Sequence, residues 1–213
     1  MRNPLLYLSV ALGVGLFAAM GWSITARAHY ETAQYEVLEK DGRIEIRQYP
    51  DLMLVSVDGE TEASGPDGSF MKLFRYISGA NATEQKISMT TPVFMEEGQE
   101  SSPGKMGFVL PQEVAAVGIP EPKASEVKIR KRSGGRFAVI RFAGKLDSAT
   151  AKDKEAELRK WLAAKGMDAE EFAESAGYDA PFTPGILRRN EVLVRLRNTD
   201  ASSAAATEST QVE

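Results

Sequence analysis

The chemistry open to this chain is bounded first by two side chains it hardly uses. It has no cysteine and a single histidine, His29. Without a thiol there is no disulfide, no thiolate metal site, no iron–sulfur cluster and no cysteine nucleophile. With no histidine after His29, neither a Ser–His–Asp nor a Cys–His arrangement can be assembled in the body of the chain. The usual zinc sites are excluded too, and copper at His29 would lack a second imidazole. Carboxylates remain, since Asp and Glu together number 30. A carboxylate-pair hydrolase therefore stays open, although no pair stands in a context that separates an acid from a base. Glu45 and Arg47 are the most suggestive charges. Two apart on an alternating strand, they share a face, and their charge predicts that this face is wet. Tyr49, Tyr76, Met89 and Met95 could touch a ligand. By residue type the methionines are expected to fill core gaps, and the tyrosines to pack with their hydroxyls at the surface.

The elements that must carry these groups lie between two unusual ends. No charged residue occurs between Arg2 and Arg27, and roughly 20 uncharged, mostly apolar residues are enough to span a bilayer. The run closes on Ala26-Arg27-Ala28, a small-x-small pattern cleavable after Ala28. A signal peptide and an N-terminal membrane anchor over residues 1–28 are both open. In either case Arg2 favours a cytoplasmic start. The expectation is an exported domain, periplasmic or held outside the cytoplasm by an inner-membrane anchor. The last residues, 199–213, carry almost no apolar bulk and read as a disordered tail. Residues 34–198 are left for one domain. The formal net charge is −4 with no basic block, so nucleic acid is not an expected partner.

Within that domain, Tyr35–Leu38 and RIEIRQY flank Asp41-Gly42, which is a hairpin signal. LMLVSVDG reads as a buried strand. The helix FMKLFRYI follows, with Asp67 or Ser69 as its cap and an apolar stripe of Phe70, Leu73, Phe74 and Ile77. KISMTTPVFM is a strand that Pro92 should push to an edge or a bulge, and KMGFVLP is another. Val127–Arg130, a Gly-Gly turn and RFAVIRFAG come next. An amphipathic helix follows, with Leu158, Trp161 and Leu162 on one face and Glu155–Arg159 as an i,i+4 pair. Asp168 with Glu171 resembles a capping box opening a shorter helix, and Glu191–Arg197 alternates as the last strand.

The two halves rhyme. Ile44-Glu45-Ile46-Arg47 matches Val127-Lys128-Ile129-Arg130, and Gly59 corresponds to Gly144. Each half runs strand, turn, strand, helix, so the expected fold is a duplicated α+β unit. Its sheets would join into one barrel-like sheet with both helices outside.

Four strings, Glu45-x-Arg47-x-Tyr49, Tyr76-Ile77-x-Gly79-x-Asn81, Lys86-Ile87-x-Met89-Thr90-x-Pro92-Val93 and Arg188-Arg189-Asn190-Glu191-Val192, occur in order between about Tyr35 and Arg197. On these the chain resembles the SOUL haem-binding proteins. The resemblance implies a distorted antiparallel β-barrel with two flanking helices, pseudo-duplicated and similar to bacterial effector-binding domains. It also implies that haem or another tetrapyrrole binds in a groove along the first helix. Carried over by position, the groove would be lined by Phe70, Met71 and Phe74, with Arg75 one residue further round and Arg75 or Lys72 at the propionates. Members with a histidine axial ligand cannot be the pattern here, because His29 lies outside the domain. The leading expectation is a non-catalytic tetrapyrrole carrier or buffer. Its alternatives are a module for other flat hydrophobic ligands and, third, a carboxylate-based envelope hydrolase.

Overall fold

The structure, a computed structural model, describes residues 30–59, 68–98, 103–180 and 183–197. The expectations for the N-terminal segment and the C-terminal tail fall outside the described residues. Among the described residues, no helix is long and apolar enough to cross a membrane.

In chain order the elements are β1 Glu31–Thr32, β2 Glu36–Asp41, β3 Ile44–Tyr49, β4 Leu52–Asp58, α1 Ser69–Ile77, β5 Thr90–Thr91, β6 Val93–Glu96, β7 Lys105–Val109, α2 Gln112–Val117, β8 Val127–Arg132, β9 Gly135–Phe142, α3 Ser148–Ala164, β10 Ala169–Gly177, a 3-10 turn at Gly185–Leu187, and β11 Asn190–Leu196. Nine strands form one antiparallel sheet in the order β2-β3-β9-β11-β10-β6-β7-β4-β8. One interior cluster joins Tyr49, near one end of that order, to Leu52 and Leu54, near the other. The sheet therefore curls around that cluster, with two further clusters between the sheet and the helices, although its end strands are not hydrogen-bonded to each other.

The order has a two-fold logic centred between β10 and β6. Outward from that centre, β11, β9 and β3 answer to β7, β4 and β8. The hairpin signals resolve differently on the two sides. Asp41-Gly42 joins a paired hairpin, β2 with β3. The strands around Gly134-Gly135 do not pair with each other; β8 pairs with β4 of the first half and β9 with β3. Arg47 thus stands opposite Phe137 while its sequence counterpart Arg130 stands opposite Leu54.

Two of the three helices, α1 and α3, each cover one half from outside. On α1, Leu73, Tyr76 and Ile77 are buried against β4, β7 and β8. On α3, Leu158 and Leu162 are buried against β9 and β11, with Trp161 half-buried beside them. Each such leucine contributes about 1.5–3 kcal/mol by leaving water. The Asp147 carboxylate accepts the Thr150 amide at 2.9 Å and caps α3. No side chain caps α1: Gly68 takes that position, Ser69 is already helical, and Asp67 is outside the described residues.

Two local expectations are corrected. Asp168 and Glu171 do not open a helix, because Ala169–Gly177 is strand β10, paired with β11 and β6. The intrinsic helix preference of AEEFAESAG is overridden by two neighbouring strands whose backbone groups need partners. Pro92 makes neither an edge nor a bulge. It splits its segment into β5, which pairs with β1, and β6, an interior strand of the large sheet.

Candidate functional site

Two of the four motifs meet inside the barrel rather than on its surface. On β3, Glu45, Arg47 and Tyr49 point inward, and all three are buried. The face expected to be wet is dry because Glu191, 144 residues away, neutralises Arg47. Arg47 Nη1 donates to Glu191 Oε2 at 2.7 Å and Nη2 to Oε1 at 3.0 Å. Arg47 also donates to Glu45 at 2.8 Å and to the Tyr49 hydroxyl at 3.0 Å. Arg189 donates to Glu191 Oε1 at 2.7 Å, and the Tyr178 hydroxyl donates to Oε2 at 2.8 Å. Burial pushes the Glu191 pKa up, but the hydrogen bonds and charges of Arg47 and Arg189 outweigh it and hold the carboxyl at about 2. Glu45 is likewise lowered: burial opposes this, and Arg47 prevails. Burial raises Tyr49 to about 12 and pushes Tyr178 well above its ordinary value. Near neutral pH this cluster therefore holds ionised carboxylates and protonated phenols, which offers neither a general acid of suitable strength nor a free base.

The surface of α1 is different. Phe70 rests edge-on against Phe108 at 5.1 Å and lies parallel to Phe74, with ring centroids 6.2 Å apart and planes 11° apart. Phe74 is 43% exposed. A parallel aromatic pair with one open face offers flat apolar contact. Met71 is half-buried and Arg75 exposed. Successive helix positions turn by about 100°, so Phe70 and Phe74 lie on the flank toward Phe108 of β7 while Lys72 and Arg75 lie on the β8 side. There Lys72 and Arg75 line a recess of about 230 Å³ with Tyr76, Lys123 and Val127. The four candidate residues thus form an arc around the open side of α1, with the aromatic pair at one end and Arg75 at the other. The packing stripe read from sequence divides the same way: Leu73 and Ile77 are core, Phe70 and Phe74 its margin.

The tyrosine hydroxyls are not at the surface. Tyr76, buried, donates to the Pro120 carbonyl at 2.7 Å, and Tyr49 is held by Arg47. Met89 and Met95 are half-buried on the margin of the cluster that contains α1. Asn81, in the second motif, bridges Tyr76 and Gln85 through its amide. A second recess, of about 660 Å³, lies beside α3 and is lined in part by Ala151, Lys152, Ala173 and Ser175. The sequence alone does not reveal it, because AEEFAESAG reads as a helix rather than as β10. Among the described residues, no three acidic or histidine side chains are grouped to hold a metal ion.

The fold has known relatives. The C-terminal domain of EcmrR superposes with a TM-score of 0.53 at 10% identity, covering 78% of this chain and 99% of that one. EcmrR in its complex with DNA gives 0.53 at 10% identity, covering 91% and 70%. A hydrolase from Listeria innocua gives 0.50 at 14% identity, covering 75% and 94%. At such identities these likenesses establish the effector-binding-like α+β fold and nothing of activity. No curated protein matches in sequence. The family model of the SOUL heme-binding proteins, however, matches residues 30–195, a span that includes all four motifs, and the chain belongs to that family.

Proposed function

We propose that the domain binds haem or a related tetrapyrrole on the Phe70–Phe74 flank of α1, without catalysis, as a carrier or buffer. The observation that carries this reading is the parallel aromatic pair with Phe74 open to solvent. A porphyrin needs flat apolar contact for its disc and cations for its carboxylates. Phe70, Phe74 and Met71 meet the first need; Lys72 and Arg75, on the same helix, meet the second.

The donor set fits the disc better than the metal. The described residues hold no histidine or cysteine, and the Tyr49 and Tyr76 hydroxyls are committed elsewhere. When bound, haem would supply an iron centre. This chain's residues would hold the ring by apolar contact and orient its carboxylates, so affinity rests on fit. Titrating the purified protein with haemin should raise a Soret band, weakened by Phe74→Glu. A flat titration at micromolar haemin overturns the reading.

The missing imidazole favours one alternative, a module for other flat hydrophobic molecules. Thermal shift across haemin, metal-free porphyrins and lipophilic cations separates the two, since a ligand stabilises only the state that binds it. We further propose that the domain acts outside the cytoplasm, because an uncharged apolar run precedes it. Mass spectrometry of the mature N-terminus distinguishes an anchored chain from a cleaved one, and an intact chain found in the cytosol would refute export.

A further inference from the structure

Taking the tetrapyrrole reading as its basis, we propose that the ligand site extends beyond α1 across the seam between the two helices, with the outward face of β10 as its far floor and Ser175 as the residue that limits ligand size. The interior strands of a sheet are ordinarily its best-covered part. Here α1 packs on β4, β7 and β8, and α3 on β9, β11 and β10. The outward residues of β6 and β10 between them are only half-buried: Val93 and Met95 on one strand, Ala173, Ser175 and Gly177 on the other.

The outward residues of the seam follow one another from strand to strand. Phe70 rests edge-on against Phe108 of β7, Met95 of β6 stands opposite Met106 of β7, and Ser175 stands opposite Met95 across the β6–β10 pair. From β7 to β10 is two strand spacings, roughly 10 Å, comparable in breadth to a tetrapyrrole ring. Next to Met95, at Glu96 and Ser175, begins the recess of about 660 Å³ that Ala173 and Ser175 line together with Glu96 of β6, Lys105 of β7, and Ala151 and Lys152 of α3. That volume lies within the roughly 300–1,000 Å³ usual for small-molecule sites.

Five of the six glutamates around the recess have a cation beside them, which limits its repulsion of a ligand with carboxylates. Glu97 is paired with Lys152 at 3.5 Å, Glu155 with Arg159 at 2.7 Å, Glu174 with Arg132 at 2.5 Å, Glu96 with Arg130 at 2.7 Å and Glu170 with Arg195 at 3.8 Å, while Glu171, the sixth, is exposed to solvent. The short side chains of Ala173 and Ser175 keep the floor low, and Met95 is the flexible element between the floor and the aromatic pair. One half of the pseudo-repeat thus supplies the stacking wall, and both halves line the space.

Haemin titration of the full chain, wild type against Ser175→Phe, tests this. The expected result is at least a tenfold weaker Kd for Ser175→Phe, with circular dichroism and the urea midpoint unchanged. Should that variant not fold, Ala173→Leu, on the same face, carries the test with the same expectation. If the wild type binds haemin and the folded variant binds within twofold, the extended site is wrong while the α1 reading stands. If the wild type does not bind, the tetrapyrrole reading itself falls and this inference with it.

Discussion

Arg47 grips the fully buried carboxylate of Glu191 with both ends of its guanidinium, joining the third strand of the chain to the eleventh over β9, which lies between them. Removing one partner leaves the other charge buried and uncompensated. Glu191→Ala is expected to cost about 3–5 kcal/mol of folding stability. A double-mutant cycle with Arg47→Met, read by urea denaturation, should show strong coupling; additive losses would mean that the pair does not act as one unit.

The same carboxyl sets an acid limit. Glu191 is held at about 2 against an ordinary value of 4.5. Its folded pKa is depressed, so the stabilisation is complete above pH 4.5 and is lost as pH falls toward 2. The size of the effect is on the order of 3 kcal/mol. Urea midpoints should hold steady from pH 7 to about 5 and fall steeply below 4. A midpoint flat down to pH 3 would contradict this assignment.

Two tyrosines should resist alkali. Tyr49 is raised to about 12 and Tyr178 well above its ordinary value, both chiefly by burial. An absorbance titration of phenolate should leave these two un-ionised near pH 11 while exposed tyrosines titrate. Both folded values are raised, so this contribution is intact below pH 10 and is lost above it, and alkaline unfolding should release both together.

Two glycines offer a paired test of packing. A Cβ on Gly134 would meet the Tyr49 carbonyl oxygen at 2.5 Å and the Pro50 carbonyl carbon at 2.6 Å, both backbone. Gly134→Ala should therefore lose about 1–3 kcal/mol or more. A Cβ on Gly177 would meet only the tips of Met95 and Leu146, at 3.6 and 3.9 Å. Gly177→Ala should be neutral within about 1 kcal/mol, since alanine also suits a strand better than glycine. Thermal melts of the two variants side by side decide the point.

Much of the architecture is legible in the residues. Asp41-Gly42 marks its hairpin, the stripe Leu73–Ile77 its helix face, and the match of Ile44–Arg47 with Val127–Arg130 the internal symmetry. What sequence does not display is pairing at a distance. Charge at Glu45 and Arg47 signals solvent by default, and only Arg189 and Glu191, more than 140 positions away, reverse that. AEEFAESAG looks helical until β6 and β11 are on either side of it. In the candidate site, apolar spacing places Phe70 and Phe74 on one helix, but spacing alone cannot say which of the stripe is covered and which left open.

Because β3 pairs with β9 and β4 with β8, neither half of the duplicated chain owns a complete sheet. Each half-chain leaves the ribosome with edges that only the other can satisfy. The connector through residues 118–126 is the covalent link that holds the two interdependent halves together. A chain cut there should recover its structure by complementation of the two fragments, and each fragment alone should aggregate.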